Sequence, residues 1–203
     1  MAHALLFPSV LGVRKGVTDI ADALTDAGHE VTTVDPFDGE TFDDYPTGMA
    51  RTREVGDDAL YAQAEAAAKG VGGPFVTVGF SVGGATAQWL AGQHPERARG
   101  VVMVGGGVPM RFLETSWPPG VPGQVHVTAG DPFHEEDREF DDEVRADVED
   151  AGGAYAFVEY PGEGHVFNDP TLAEYQPEEA RLLTRHIVEF VDQLDAAGEE
   201  PAG

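Results

Sequence analysis

Phe75-Val76-Thr77-Val78-Gly79-Phe80-Ser81-Val82-Gly83-Gly84 is the stretch on which the reading of this chain turns. Its first four residues form an apolar, β-branched run suited to a buried strand. Its last residues, with Ala85 and Ala87 beyond them, suit a helix that packs closely through its first turns. Between the two stands Gly-x-Ser-x-Gly. A strand that becomes a helix within so few residues puts the serine on a bend too tight for side chains two positions away. Glycine is therefore required at 79 and 83, and the Ser81 hydroxyl is lifted clear of the sheet. The first amides of the helix point toward the serine, where they can stabilise an oxyanion.

A serine nucleophile needs a base and a group to orient that base. Asp131 follows the alternating run Gln124-Val125-His126-Val127-Thr128-Ala129-Gly130, and His165 ends the loop Pro161-Gly162-Glu163-Gly164-His165 after the run Ala154 to Tyr160. Each has a plainer reading. A chain with 26 glycines can produce Gly-x-Ser-x-Gly by chance, Asp131-Pro132-Phe133 reads as a helix cap, and a loop histidine is usually solvated. Three such residues in the order Ser, Asp, His, each at a strand end, favour the chemical reading. All three can then meet on one edge of a parallel sheet. The expected triad is Ser81, Asp131 and His165. The expected oxyanion donors are the amides of Val82 and, from the first loop, Val10. His3, His29, His94, His126, His134 and His186 have no comparable setting.

Strand and helix patterns alternate along the chain, which predicts an α/β fold with a mainly parallel sheet of about six strands, helices on both faces and no cap domain. Expected strands are Ala4 to Phe7, Glu30 to Val34, Phe75 to Phe80, Gly100 to Val104, Gln124 to Ala129 and Ala154 to Tyr160. A helix over Gly16 to Ala27 buries Val17, Ile20, Ala21 and Leu24. A second runs from Asp57 to Lys69. The last starts at Pro177 with Leu183, Ile187, Phe190, Val191 and Leu194 on one stripe. The loop from Val104 to Gln124 is too short for a helical cap, so an open site suited to small substrates is expected. Ser9, Trp117 and Phe133 are candidates to line it, and Phe112 is another. A single domain over residues 1–198 with a flexible acidic tail at 199–203 is the expected organisation.

These features resemble the dienelactone hydrolase family of the α/β-hydrolase fold, from about Ala4 to about Leu194. The likeness rests on Ala4-Leu5-Leu6-Phe7-Pro8-Ser9-Val10-Leu11-Gly12, on Asp19 to Leu24 with Ala27-Gly28, on the small-residue elbow, and on Gly164-His165-Val166-Phe167 followed by Asn168-Asp169. The resemblance implies the compact hydrolase fold and hydrolysis of an ester or lactone. It also marks departures. The family's usual nucleophile is cysteine, which this chain lacks, so Ser81 takes that place. Ser9 falls where the name-giving enzymes have a glutamate that assists thiol activation. The arginines that hold a dienelactone's carboxylate have no matching motif, although Arg14, Arg51, Arg53 and Arg111 lie in nearby segments.

Composition narrows the remaining choices. A chain of 203 residues can bury about 70% of its unfolded surface as one core. With 12 basic and 37 acidic residues the net charge is −25, which makes nucleic acid and anionic membranes poor partners. The run from Glu135 to Asp150 reads as a solvated helix face. If it lies near the site it disfavours anionic substrates. No membrane span or secretory signal is read, and the absence of cysteine suits a cytoplasmic chain. The expectation is a serine hydrolase of small esters or lactones that needs no cofactor or metal, as a monomer or homodimer. A thioesterase or acyltransferase with the same triad and a non-catalytic binding protein on the same fold are the alternatives.

Overall fold

The six apolar runs pair into one sheet. The structure is a computed structural model that describes residues 1–199 and, within them, every side chain but those of residues 135–137 and 199. In chain order the elements are β1 (His3–Phe7), α1 (Lys15–Asp26), β2 (Glu30–Thr33), α2 (Tyr45–Val55), α3 (Asp57–Gly70), β3 (Phe75–Phe80), α4 (Val82–Gln93), β4 (Ala98–Val104), β5 (Gly123–Thr128), α5 (Pro132–Asp137), α6 (Asp141–Asp150), β6 (Tyr155–Tyr160) and α7 (Pro177–Glu199). The strand order is β2-β1-β3-β4-β5-β6, with every pairing parallel. The chain leaves β1 toward β2 and then crosses back to β3. That reversal opens a crevice beyond the carboxyl ends of β1 and β3, where open α/β sheets bind ligands. Ser9 and Val10 follow β1, and Ser81 follows β3.

Both sheet faces are covered, and alternate residues of each strand serve the two layers. On one side Ala4, Leu6, Val76, Val78, Val102 and Val104 pack under Val17, Ile20 and Leu24 of α1 and Leu183, Ile187, Phe190 and Val191 of α7. On the other, Leu5, Phe7, Val101, Met103, Val125 and Val127 pack under Ala64 and Ala68 of α3, Ala87, Leu90 and Ala91 of α4, and Val144 and Val148 of α6. The alanines of α3 and α4 let these helices sit close to the strands. α6 is thus more than a solvated face, since its two valines one turn apart seal the edge of the core.

One element was not anticipated. α2 buries only Gly48 fully, so it lacks the apolar stripe that announces a helix. Its start is nonetheless written in the sequence, because the Asp44 carboxylate caps the Thr47 amide and Pro46 stands in the first turn. α7 runs on through Glu199, and the rest of the expected tail, 200–203, lies outside the described residues. Among the described residues no helix is long and apolar enough to cross a membrane.

Candidate active site

The bend after β3 is as tight as its glycines require. A Cβ on Gly79 would lie 2.1 Å from the Gly83 carbonyl oxygen, and one on Gly83 would lie 2.2 Å from the Phe7 carbonyl oxygen. Ser81 between them has φ 54° and ψ −122°, a conformation that a residue with a side chain occupies only when its surroundings hold it there. Here the Ser81 amide donates to the Val104 carbonyl at 2.7 Å, and its carbonyl accepts from the Gly84 amide at 2.7 Å. The backbone is pinned at both ends and the hydroxyl is left to project.

His165 meets that hydroxyl. Its Nε2 lies 2.8 Å from Ser81 Oγ, and its Nδ1 lies 2.6 Å from Asp131 Oδ2. Since a carboxylate only accepts, Nδ1 carries the proton and Nε2 presents its lone pair to the serine O–H. Asp131 combines the two roles its sequence allowed. Oδ1 caps α5 by accepting from the Phe133 and His134 amides at 2.9 and 3.3 Å, and Oδ2 holds the imidazole. The cap fixes the carboxylate, and the carboxylate fixes the ring. Both residues are buried, at 1% and 4% exposure, so this pair is shielded from solvent competition.

Ser81 opens into a cavity of about 260 Å³ lined by Val10, Tyr45, Met49, Val82, Ala85, Gly105 to Val108, Phe133 and His165. Its lining is apolar apart from the serine, the histidine and the tyrosine, and it contains no lysine or arginine. Val82 is the first residue of α4, so its amide has no partner in the helix. The Val10 amide likewise meets no acceptor among the described residues. Two free donors therefore border the cavity that holds the hydroxyl, as an oxyanion would need. Gly105 floors it at φ 89°, and a Cβ there would lie 2.7 Å from His165 Cε1.

Of the residues expected to line the site, Phe133 does so, with its ring centroid 4.7 Å from that of His165. Trp117 does not. It is 5% exposed, donates from Nε1 to the Val121 carbonyl at 2.8 Å, and packs over Gly123 at the start of β5, the sheet edge opposite the serine. Ser9 faces away into a small cavity behind Val82 and accepts from the Leu11 amide at 3.2 Å, which shapes the loop presenting Val10. Phe112 is exposed under the Arg111 guanidinium. Three of the four candidate arginines are occupied elsewhere, and none of the four lines the cavity. Arg14 bonds Asp169, Asp43, Thr171 and the Phe42 carbonyl, Arg51 pairs with Glu40 and Glu54, and Arg111 pairs with Glu143.

Sequence reasoning missed Tyr45 and Met49, because α2 itself went unrecognised. It also missed Glu174, whose carboxylate accepts from the His165 amide at 2.9 Å and from the Tyr45 hydroxyl. Burial and this acidic neighbour push the Tyr45 phenol well above its usual pKa, so it remains a hydrogen-bond donor.

The sequence pattern of the dienelactone hydrolase family matches residues 3–194. The chain belongs to that family. Solved structures agree on the fold of this family member. A dienelactone hydrolase-like promiscuous phosphotriesterase from metagenomic libraries superposes with a TM-score of 0.74 at 19% identity, covering 96% of this chain and 87% of that one. A putative dienelactone hydrolase from Klebsiella pneumoniae gives 0.71 at 20% identity, covering 95% and 87%. The Vlm2 thioesterase domain gives 0.55 at 21% identity, covering 91% and 96%. No curated protein sequence matches. The family relation makes the chain an α/β hydrolase without naming its substrate.

Proposed function

We propose that this family member hydrolyses small, uncharged esters or lactones through an acyl-enzyme on Ser81. His165 Nε2 removes the hydroxyl proton as Oγ attacks the carbonyl carbon. Asp131, bonded at Nδ1, keeps the imidazole in the required tautomer and balances the charge it gains. The oxygen of the tetrahedral intermediate takes up hydrogen bonds from the Val82 and Val10 amides. One such donor contributes about 3 to 4 kcal/mol to the transition state. His165 then returns its proton to the departing alkoxide, and the cycle repeats with water, giving the free acid and the resting serine.

The observation that carries this reading is the unbroken chain from Ser81 Oγ to His165 to Asp131, at 2.8 and 2.6 Å, at the edge of a cavity with two unpaired amides. The lining supports the substrate class. With no cation to meet a carboxylate and with Asp131 and Glu174 beside the histidine, a charged acyl group would be desolvated and left unpaired. A cavity of this volume suits an acyl group of a few carbons.

The test is a panel of p-nitrophenyl acetate and butyrate, a γ-lactone, a short thioester and an ester bearing a free carboxylate. Neutral short esters or lactones should turn over fastest, and free acid should form even with an alcohol present. Preferential transfer to the alcohol would make the enzyme an acyltransferase, and preference for the thioester a thioesterase. No turnover of any of them would favour a binding protein.

A further inference from the structure

The loop that carries His165 is irregular and is held from outside, with the Thr128 hydroxyl donating to the Gly164 carbonyl and the Gly130 amide to the Gly162 carbonyl, each at 2.8 Å. Gly162, at φ 111°, and Gly164 flank it, and His165 begins no regular element. With its amide oriented to satisfy both ends, Gln176 holds the loop's approach by donating to the Pro161 carbonyl and accepting from the Glu163 and Gly164 amides. His165 itself is held by Glu174. One carboxylate oxygen accepts from the His165 amide at 2.9 Å, and the other accepts from the Tyr45 phenol. Tyr45 in turn sets its ring edge-on to the imidazole, with centroids 5.8 Å apart, and packs 4.9 Å from Phe133, the other aromatic neighbour of that ring. α2, which carries Tyr45, also presses Gly48 against the loop of the oxyanion donor. A Cβ at position 48 would lie 2.4 Å from the Val10 carbonyl oxygen.

We infer that Glu174 is a positioning residue for His165, working with the Tyr45 hydroxyl as a clasp that ties the base to α2. The inference rests on the triad reading above. Asp131 fixes the rotation of the imidazole about its nitrogens, and the clasp fixes where the ring stands, because it holds the main chain from which the ring projects. Removing it leaves the Asp131 bond intact and lets His165 drift relative to Ser81. A displacement toward 1 Å at such a site costs up to about 10²-fold in rate, so a partial loosening should cost about tenfold. The loss belongs in kcat, since the clasp makes no contact with the acyl group beyond the Tyr45 ring, which the conservative variant retains.

Four variants test this: Glu174→Ala, Glu174→Gln, Tyr45→Phe and the double Glu174→Ala/Tyr45→Phe, each with p-nitrophenyl acetate and with circular dichroism to verify folding. Glu174→Ala should lower kcat about tenfold and leave KM within about twofold. Glu174→Gln, whose amide can still pair with both groups, should restore most of that loss. Tyr45→Phe, which keeps the ring, should lower kcat by less than Glu174→Ala, and the double variant should be no slower than Glu174→Ala alone. Wild-type kcat in Glu174→Ala, or no rescue by glutamine, would overturn the inference. If Glu174→Ala does not fold, wild-type kcat in Tyr45→Phe would overturn it. Ser81→Ala is the control. If that variant stays active, the triad reading fails. If it is inactive while Glu174→Ala is unimpaired, only the clasp is wrong.

Discussion

Replacing Gly105 with alanine should disable the enzyme without unfolding it. The new Cβ would lie 2.7 Å from His165 Cε1 and 3.2 and 3.3 Å from its two nitrogens. Ordinary contact begins near 3.4 Å, so the ring must retreat by about 0.7 Å. Cε1 lies between the nitrogens, so the retreat strains both hydrogen bonds of the imidazole. The push runs away from Cε1 and across the line from Nε2 to Ser81 Oγ, so it bends the 2.8 Å hydrogen bond out of line and lengthens it only slightly. A misplacement of that order costs about 10²-fold, or about 3 kcal/mol of transition-state stabilisation. Placing alanine at φ 89° adds about 1 to 2 kcal/mol of backbone strain. That lowers the melting temperature by several degrees but leaves the fold in place. The assay is kcat/KM for p-nitrophenyl acetate beside a thermal melt. A folded Gly105→Ala variant with turnover within threefold of wild type would refute the proposed part of His165.

Two further outcomes follow from buried groups. His126 is fully buried between Gln124 and Tyr160, whose hydroxyl continues to His186, and burial with the nearby His186 charge pushes its pKa down to about 3. Below pH 6.5 the unfolded chain binds a proton that the folded one does not, so this histidine costs about 1.4 kcal/mol of stability per pH unit as pH falls toward 3. Urea unfolding of the wild type and His126→Gln between pH 7.5 and 4.5 checks it. The stability difference should shift in the variant's favour as pH falls, and a constant difference would contradict it. Trp117→Ala should cost about 3 to 5 kcal/mol of stability yet leave acyl-chain preference unchanged, because its indole fills the core at the far edge of the sheet. A changed chain-length profile across p-nitrophenyl esters would put Trp117 back at the site.

Much of this was legible in residue order. β3 is buried on both faces and reads as an uninterrupted apolar run. β1 and β4 share their residues between the same two helix layers and read the same way, and apolar stripes marked α1 and α7. Ser81, Asp131 and His165 were legible because a parallel sheet brings every strand's carboxyl end to one edge. The same rule explains the error with Trp117. It precedes β5, so it belongs to the opposite edge, whereas Gly105 to Gly107 follow β4 and floor the cavity. α2 stayed hidden because its contacts are made by a glycine against a carbonyl and by the polar tip of a tyrosine, neither of which leaves a periodic pattern. Glu174 was indistinguishable from the many acidic surface residues of a chain with net charge −25 until its two partners were known.

In the proposed mechanism His165 makes the Ser81 oxygen a nucleophile. Treating the folded protein with a fluorophosphonate and mapping the adduct by mass spectrometry tests it most directly. A single phosphonylated residue, Ser81, is expected in the wild type, with labelling slowed at least about 10³-fold in His165→Ala. An adduct elsewhere, or equal labelling of Ser81 without the histidine, would contradict it.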